Sequence, residues 1–171
     1  TVEIHRPPHN YFNQAMVTSI ADAYEFLANE TECRAIILAS EGKSFCAGSS
    51  VVTTGQLTTE EQQVVSSGTA TGRNHIYEQG TRMMLGEIPV IAAIQGAAIG
   101  GGLGLALTAD FRVAAPEARF SANFARLGFH HGFGLTVTLP KLVGGQAAMN
   151  LLLTGRRERR LSIGGRHNGR L

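Results

Sequence analysis

The sequence predicts an α/β fold with a mostly parallel sheet, on three observations. Short apolar runs, Ala35–Ala39 (AIILA) and Pro89–Ile94 (PVIAAI), have the continuous hydrophobicity of strands covered on both faces. Stretches with helical spacing stand between and after them. Strands that alternate with helices in this way build βα layers rather than sandwiches or bundles.

The elements follow in order. TVEIHR alternates apolar and polar residues and reads as a strand closed by Pro7 and Pro8. Because Thr1 already reads as mid-strand, the sequence predicts further residues upstream. From Asn13 to Asn29, residues Met16, Ile20, Ala23, Tyr24 and Leu27 recur at helical spacing, with Asn13 as the cap. Residues 35–39 form the next strand and EGKSFCAGSS a loop. The polar, Gly- and Ser-rich stretch 58–69 is expected to be mobile. A helix is predicted over Asn74–Leu85, then the strand Pro89–Ile94. The run AIGGGLGLALTAD (98–110) opens a helix that ends near Asp110. FRVAA and RFSA are two short strands around a turn at Pro116. Leu127–Gly134 is a loop rich in glycine and histidine, and helices around Val137–Leu142 and Gln146–Thr154 follow. No repeat is visible in the sequence.

Composition bounds the function. A chain of 171 residues with 43% hydrophobic and 16% charged residues is globular, with room for one core. The low charged fraction predicts surface covered by other subunits. A net charge of +2 argues against nucleic acid, and six arginines lie among residues 156–171. Two cysteines, Cys33 and Cys46, make no disulfide framework and no metal-ligand spacing, so no metal is expected. With no signal peptide and no apolar run of spanning length, the default expectation is a cytoplasmic protein without a membrane partner.

Gly100, Gly101, Gly102 and Gly104 leave bare backbone at a helix start, at an entropic cost of up to about 1 kcal/mol each against alanine. Dinucleotide binding is a poor match. The third glycine of that fingerprint is missing, since Ala106-Leu107 stands there, and no acid follows at the right distance. An oxyanion hole fits better: a backbone N–H at a helix N-terminus, with a second donor from SFCAGSS (44–50) after a buried strand.

RAIILASEGKSFCAGSS together with IPVIAAIQGAAIGGGLGLALTADFRVAAPEARFSANFARLGF strongly resembles the crotonase (enoyl-CoA hydratase/isomerase) superfamily, from about Arg6 to Gly155. The resemblance implies a crotonase-like ββα spiral core over residues 1–155. It also implies an acyl-CoA thioester as substrate, no permanently bound cofactor, and a homotrimer or dimer of trimers. Carried over by motif, the oxyanion hole is the backbone N–H of Ser49 and of Gly101. Arg6, His9, Ala47, Ser49, Ser50 and Val51 would flank the CoA nucleotide. Asp110 corresponds to a structural aspartate, a cap or ion-pair partner.

The departures from that family are as informative. The two glutamates of its hydratases fall on Gly104 and Phe124 here, and neither residue activates water or protonates carbon. A replacement acid–base group would have to come from side chains nearby. His130 in LGFHHGFG reads either as a general acid or base or as a loop hydrogen-bonding residue. His131 reads as the latter. Among His75, Tyr77 and Glu78, Glu78 is the best candidate, against the plain reading of an exposed amphipathic face. Cys46 reads as a small buried residue, and Ser49 and Ser50 lack the setting of a nucleophile. The basic segment 156–171 belongs to no evident element and is expected to be disordered, which predicts a truncated, frame-shifted or otherwise altered C-terminal helical part. Two functions follow from the sequence: an acyl-CoA-processing enzyme with doubtful hydratase activity, or a catalytically silent acyl-CoA-binding or scaffold protein.

Overall fold

The structure, a computed structural model, describes residues 1–49 and 76–159. The stretch 58–69, and with it Ser50, Val51 and His75, lies outside the described residues. Among the described residues, two four-stranded sheets carry the fold. In the first, β1 (Val2–Ile4), β2 (Ile36–Ser40), β4 (Val90–Ile94) and β6 (Phe111–Ala114) are parallel and stand in that order. In the second, β3 (Ser44–Cys46), β5 (Ala97–Ile99) and β7 (Arg119–Ser121) are parallel, and β8 (Glu158–Arg159) pairs antiparallel with β7.

A repeat emerges that the sequence hides. β2, β4 and β6 each pass by a short turn into a partner strand, β3, β5 and β7, in the other sheet. Three such double strands are the ββ steps of a spiral, closed by the helices between them. The expected loop 41–50 therefore contains β3, and the start of the glycine segment contains β5. Each is three residues long, too short for a hydrophobic period to declare it. FRVAA and RFSA are strands as expected, with Ala118 N–H donating to the Ala115 carbonyl across the turn, and they belong to different sheets.

The helices are α1 (Gln14–Asn29), α2 (Ile76–Met84), α3 (Gly101–Thr108), α4 (Leu135–Val143) and α5 (Gly145–Thr154). None in the described residues is long and apolar enough to cross a membrane. Asn13 caps α1, its Oδ1 accepting from Met16 N–H at 3.1 Å, as its residue type predicts. Val17, Ile20, Ala21 and Tyr24 of α1 share one core with Ile36, Leu38, Val90, Ala92 and Ile94 of the first sheet. Arg82 ties α2 to α1, donating to Asp22 at 2.8 Å and to Glu25 at 2.6 Å. All eight residues of α3 are buried, so it is apolar on every side.

The other face of the first sheet is uncovered by any of the described residues. Ile37, Ile91 and Phe111 stand in register across it, as do Ala93 and Val113, with Phe111 62% and Val113 65% exposed.

Of the basic segment, residues 156–159 lie among the described residues. Ser121 Oγ–H donates to the Gly155 carbonyl at 2.8 Å, and Glu158–Arg159 extends the second sheet at the β7 edge. An open strand edge offers hydrogen bonds that no sequence period records. Residues 160–171 lie outside the described residues.

Candidate active site

Two backbone segments meet at the head of α3. The first is Ala47-Gly48-Ser49, directly after β3. It is zipped to the N-terminal segment: Ala47 N–H donates to the His9 carbonyl and Phe12 N–H to the Gly48 carbonyl, both at 3.0 Å, and Ser49 bridges Phe12 in parallel. Gly48 holds φ +93°, in the left-handed region, and a Cβ there would lie 3.0 Å from the Ile99 carbonyl and 4.0 Å from Gly101 N. The second segment is Gly100-Gly101, the turn from β5 into α3. The segments that the resemblance pairs as donors are thus neighbours through their main chains.

Gly101 is the first residue of α3. The first N–H groups of a helix have no acceptor within it, and the aligned peptide dipoles make that end positive. Gly100 N–H, one residue earlier, donates to the Ser121 carbonyl at 2.7 Å. The helix is held at its other end too. Asp110 Oδ2 accepts from Val90 N–H at 2.8 Å, while Asp110 N–H donates to the Val90 carbonyl at 3.0 Å, a tie to the sheet.

Aromatic rings roof the face of α3 that carries Gly101 and Gly104, three residues apart and on one side of the helix. A Cβ on Gly101 would meet the Phe12 ring at 2.2 Å. A Cβ on Gly104 would lie 2.7 Å from Phe133 Cβ and 2.8 Å from the Phe133 carbonyl oxygen. The Phe12 and Phe133 rings are 5.5 Å apart, and Tyr77 meets Phe133 edge-on at 6.3 Å. Phe124 stands beside the glycine turn, 3.7 Å from a Cβ built on Gly100. Gly104 therefore lies against an aromatic residue, and Phe124 is one.

Beyond Phe133 opens a cleft of about 350 Å³ lined by Tyr77, Thr81, Met84, His130 and His131 among others. His130 is exposed, with Nδ1 3.0 Å from the His131 carbonyl oxygen. His131 is half-buried and meets Phe124 edge-on at 5.8 Å. Its Nδ1 is buried and has no hydrogen-bond partner. Burial, and then the neighbouring His130, lower the His131 pKa, with the Leu152 backbone acting in the opposite sense. The loop hydrogen bond expected of His131 is thus not made at Nδ1.

The remaining candidates sit as follows. Glu78 is exposed on the first turn of α2 and is not among the residues lining the cleft. Arg6 is exposed, and its Nη1 donates to Asn13 Oδ1 at 2.8 Å, which joins it to the cap of α1. Cys46 is fully buried and burial pushes its thiol up to about 11, which removes it as a thiolate nucleophile. Among the described residues no group of three or more His, Cys, Asp or Glu could hold a metal ion.

Two residues central to this geometry carry no signal in the sequence. Asn10, fully buried, donates through Nδ2 to the Glu41 and Ser44 carbonyls, each at 2.7 Å, and accepts from Arg6 N–H at 2.9 Å. It fixes the N-terminal segment against the entry to β3. Phe133 is the other, an aromatic residue in a run of glycines.

Comparison with known proteins gives this geometry a family. The enoyl-CoA hydratase/isomerase family model matches residues 1–160. A Mycobacterium tuberculosis relative that carries the name probable enoyl-CoA hydratase is 34% identical over 146 residues, 85% of this chain and 54% of its own. The peroxisomal bifunctional enzyme of Cavia porcellus is 32% identical over 155 residues, 91% of this chain and 20% of that protein. The solved structure of an enoyl-CoA hydratase from Polaromonas sp. JS666 superposes with a TM-score of 0.79 at 28% identity, over 93% of this chain and 61% of that one. The chain thus spans about half the length of the hydratase-sized relatives it matches. By family model, identity and fold together, it belongs to the enoyl-CoA hydratase/isomerase family, within the crotonase superfamily.

Proposed function

We propose that this chain binds an acyl-CoA thioester, with no permanently bound cofactor, and polarises its carbonyl between the backbone N–H groups of Ser49 and Gly101. The observation that carries this reading is the abutment of the two segments. Gly48 holds φ +93° with its Cα side against Ile99 and Gly101, at the positive end of a helix buried on all sides. Two such donors in a dry site stabilise an oxyanion, and each lowers the barrier by on the order of 3 kcal/mol. Ala47 and Arg6 border the same entrance and would lie on the CoA side.

In this reading the chain does not hydrate a double bond. Gly104 and Phe124 supply no carboxylate, and Phe133 fills the space a side chain at position 104 would need. An enolate-forming reaction would draw its proton acceptor from the histidine loop, with His130 on the cleft as the first candidate and Glu78 as the more distant one. The closure of α3 by Phe12 and Phe133 favours a second reading, a silent acyl-CoA binder. Homotrimeric assembly belongs to the first reading, with the row Ile37, Ile91 and Phe111 and the neighbouring Val113, exposed among the described residues, as apolar surface available to it.

Calorimetric titration with free CoA and a panel of acyl-CoA thioesters, with products followed by mass spectrometry, tests the proposal. Thioesters binding more tightly than CoA support it, and absence of thioester binding overturns it. Conversion that is lost in His130→Ala with affinity retained marks an enzyme, and binding without conversion marks the silent reading.

A further inference from the structure

We infer that the loop from Gly128 to Gly134 is a plug on the glycine face of α3, and that it is released when His131 takes up a proton. Such a device controls access to the head of α3 whatever binds there, so it does not depend on the thioester reading.

Ring packing holds the loop down. Phe133 presses its Cβ and carbonyl oxygen on Gly104 of α3 and its ring on Gly80 of α2, where a built Cβ would lie 3.1 Å from Cζ. Phe12 and Tyr77 brace that ring at 5.5 and 6.3 Å. A Cβ on Gly132 would strike the Tyr77 hydroxyl. Among the described residues, the backbone hydrogen bonds of the loop are local: Phe129 N–H donates to the Phe124 carbonyl at 3.0 Å, and Leu135 N–H to the Gly132 carbonyl at 3.3 Å. The loop can therefore lift without breaking a sheet ladder.

Its backbone is built for two positions. Gly128 and Gly134 bound it in the left-handed region, at φ +75° and +72°. Phe133 is held at φ +52°, a conformation that disfavours a large side chain, so lifting the loop also relieves strain.

The weak point of the packing is His131. Its ring lies edge-on to Phe124 at 5.8 Å, and its Nδ1 is buried without a hydrogen-bond partner. A neutral imidazole tolerates this, because one of its nitrogens carries no proton. An imidazolium has N–H on both and must find an acceptor for each or leave. No carboxylate is among the groups that shift it. His130 on its own loop opposes the charge, and the Leu152 backbone of α5 favours it. The turn after β7 presents the Phe124 ring, and α2 presents Tyr77, whose ionisation burial pushes upward and which is neutral here.

Closure thus weakens proton binding at His131, and an open loop lets water solvate both nitrogens. Proton uptake favours the open loop by the same factor by which closure weakens it. Once both imidazoles are charged they also repel, with their rings 6.3 Å apart. With the loop lifted, Phe133 leaves Gly104 and uncovers the face of α3 as far as the Phe12 ring.

The test is hydrogen exchange of backbone amides, followed by NMR from about pH 7.5 to about pH 5 and divided by the intrinsic rate at each pH. Leu135 N–H reports the loop through its Gly132 acceptor, and Ile36 N–H, which donates to the Pro89 carbonyl at 2.8 Å, reports global opening. In wild type the opening ratio at Leu135 should rise about tenfold or more as pH falls, ahead of any change at Ile36. His131→Phe keeps a ring in place and binds no proton, so its ratio should stay level. His131→Gln serves as the neutral variant if His131→Phe does not fold. A level ratio at Leu135 in wild type, a rise only in step with Ile36, or an equal rise in the folded neutral variant overturns the inference. None of these outcomes bears on thioester binding, which the calorimetric titration decides.

Discussion

A Cβ placed on Gly102 would lie 1.9 Å from the carbonyl oxygen of Cys46. The glycine helix therefore lies directly on the β3 backbone, and this approach sets where the head of α3 meets the loop after β3. Gly102→Ala should cost about 3 kcal/mol or more, because backbone on both sides leaves nothing flexible to move aside. Thermal unfolding of the variant measures it, and a melting temperature within a degree of wild type would contradict the packing described.

Asn10 closes the opposite side of the same loop. Asn10→Ala leaves the Glu41 and Ser44 carbonyls without their Nδ2 donors. The expected loss is about 2 kcal/mol: the Glu41 carbonyl loses its Nδ2 donor, while the Ser44 carbonyl keeps those of Gln95 and Ser40. Urea unfolding reports the loss. Asn10→Asp should be at least as damaging, because it puts an acceptor and a charge against two carbonyl oxygens.

His131 gives the stability a defined pH dependence. Its folded pKa lies below the ordinary histidine value of 6.5, through burial first and the His130 charge second. The unfolded chain therefore binds a proton more readily than the folded one. The stabilising contribution is present above 6.5 and is lost as pH falls through the lower folded value. Urea midpoints measured from neutral pH down to about pH 5 should fall for wild type, and His131→Gln should flatten that part of the curve.

Gly104 and Phe133 should behave as a coupled pair. Gly104→Glu alone forces a carboxylate against the Phe133 Cβ and carbonyl, and should destabilise by about 3 kcal/mol or more. In the Gly104→Glu/Phe133→Gly double variant the clash with the Phe133 side chain is removed while the carbonyl at position 133 stays, so the two effects should be non-additive by about 1 kcal/mol or more. A double-mutant cycle in unfolding free energy reads the coupling. Simple additivity would mean that the two positions do not share space.

Much of the architecture was legible in the sequence because its signals are local. The alternation of TVEIHR, the apolar runs of β2 and β4, and Asn13 as a cap each depend on neighbouring residues alone, and each stands where it was expected. β3 and β5 were not legible. They are strands because the chain steps from one sheet to the other after Ser40 and Ile94, and three residues hold too little pattern to record that step. β8 depends on the open edge of β7, and Glu158-Arg159 carries no strand signal of its own. At the site, the glycines and the segment after Cys46 were readable as neighbours, and the Gly48–Gly101 approach brings them together. That Phe133 covers Gly104 was not readable, because the contact joins two distant segments through the shape of the fold.

The strand order carries a consequence for how fast this protein reaches its native state. Ile36 pairs with Val90 and Val2 with Leu38, so strands of the first sheet pair across long stretches of chain and not through tight turns. Each parallel pairing must close a long loop before any ladder bond rewards it, and the entropy of that closure is met first. Refolding should therefore proceed in milliseconds to seconds, the regime of non-local topologies, instead of the microseconds open to helical bundles. During that interval the row Ile37, Ile91 and Phe111 is exposed alongside unpaired strand edges, so recovery of native protein should fall steeply as refolding concentration rises.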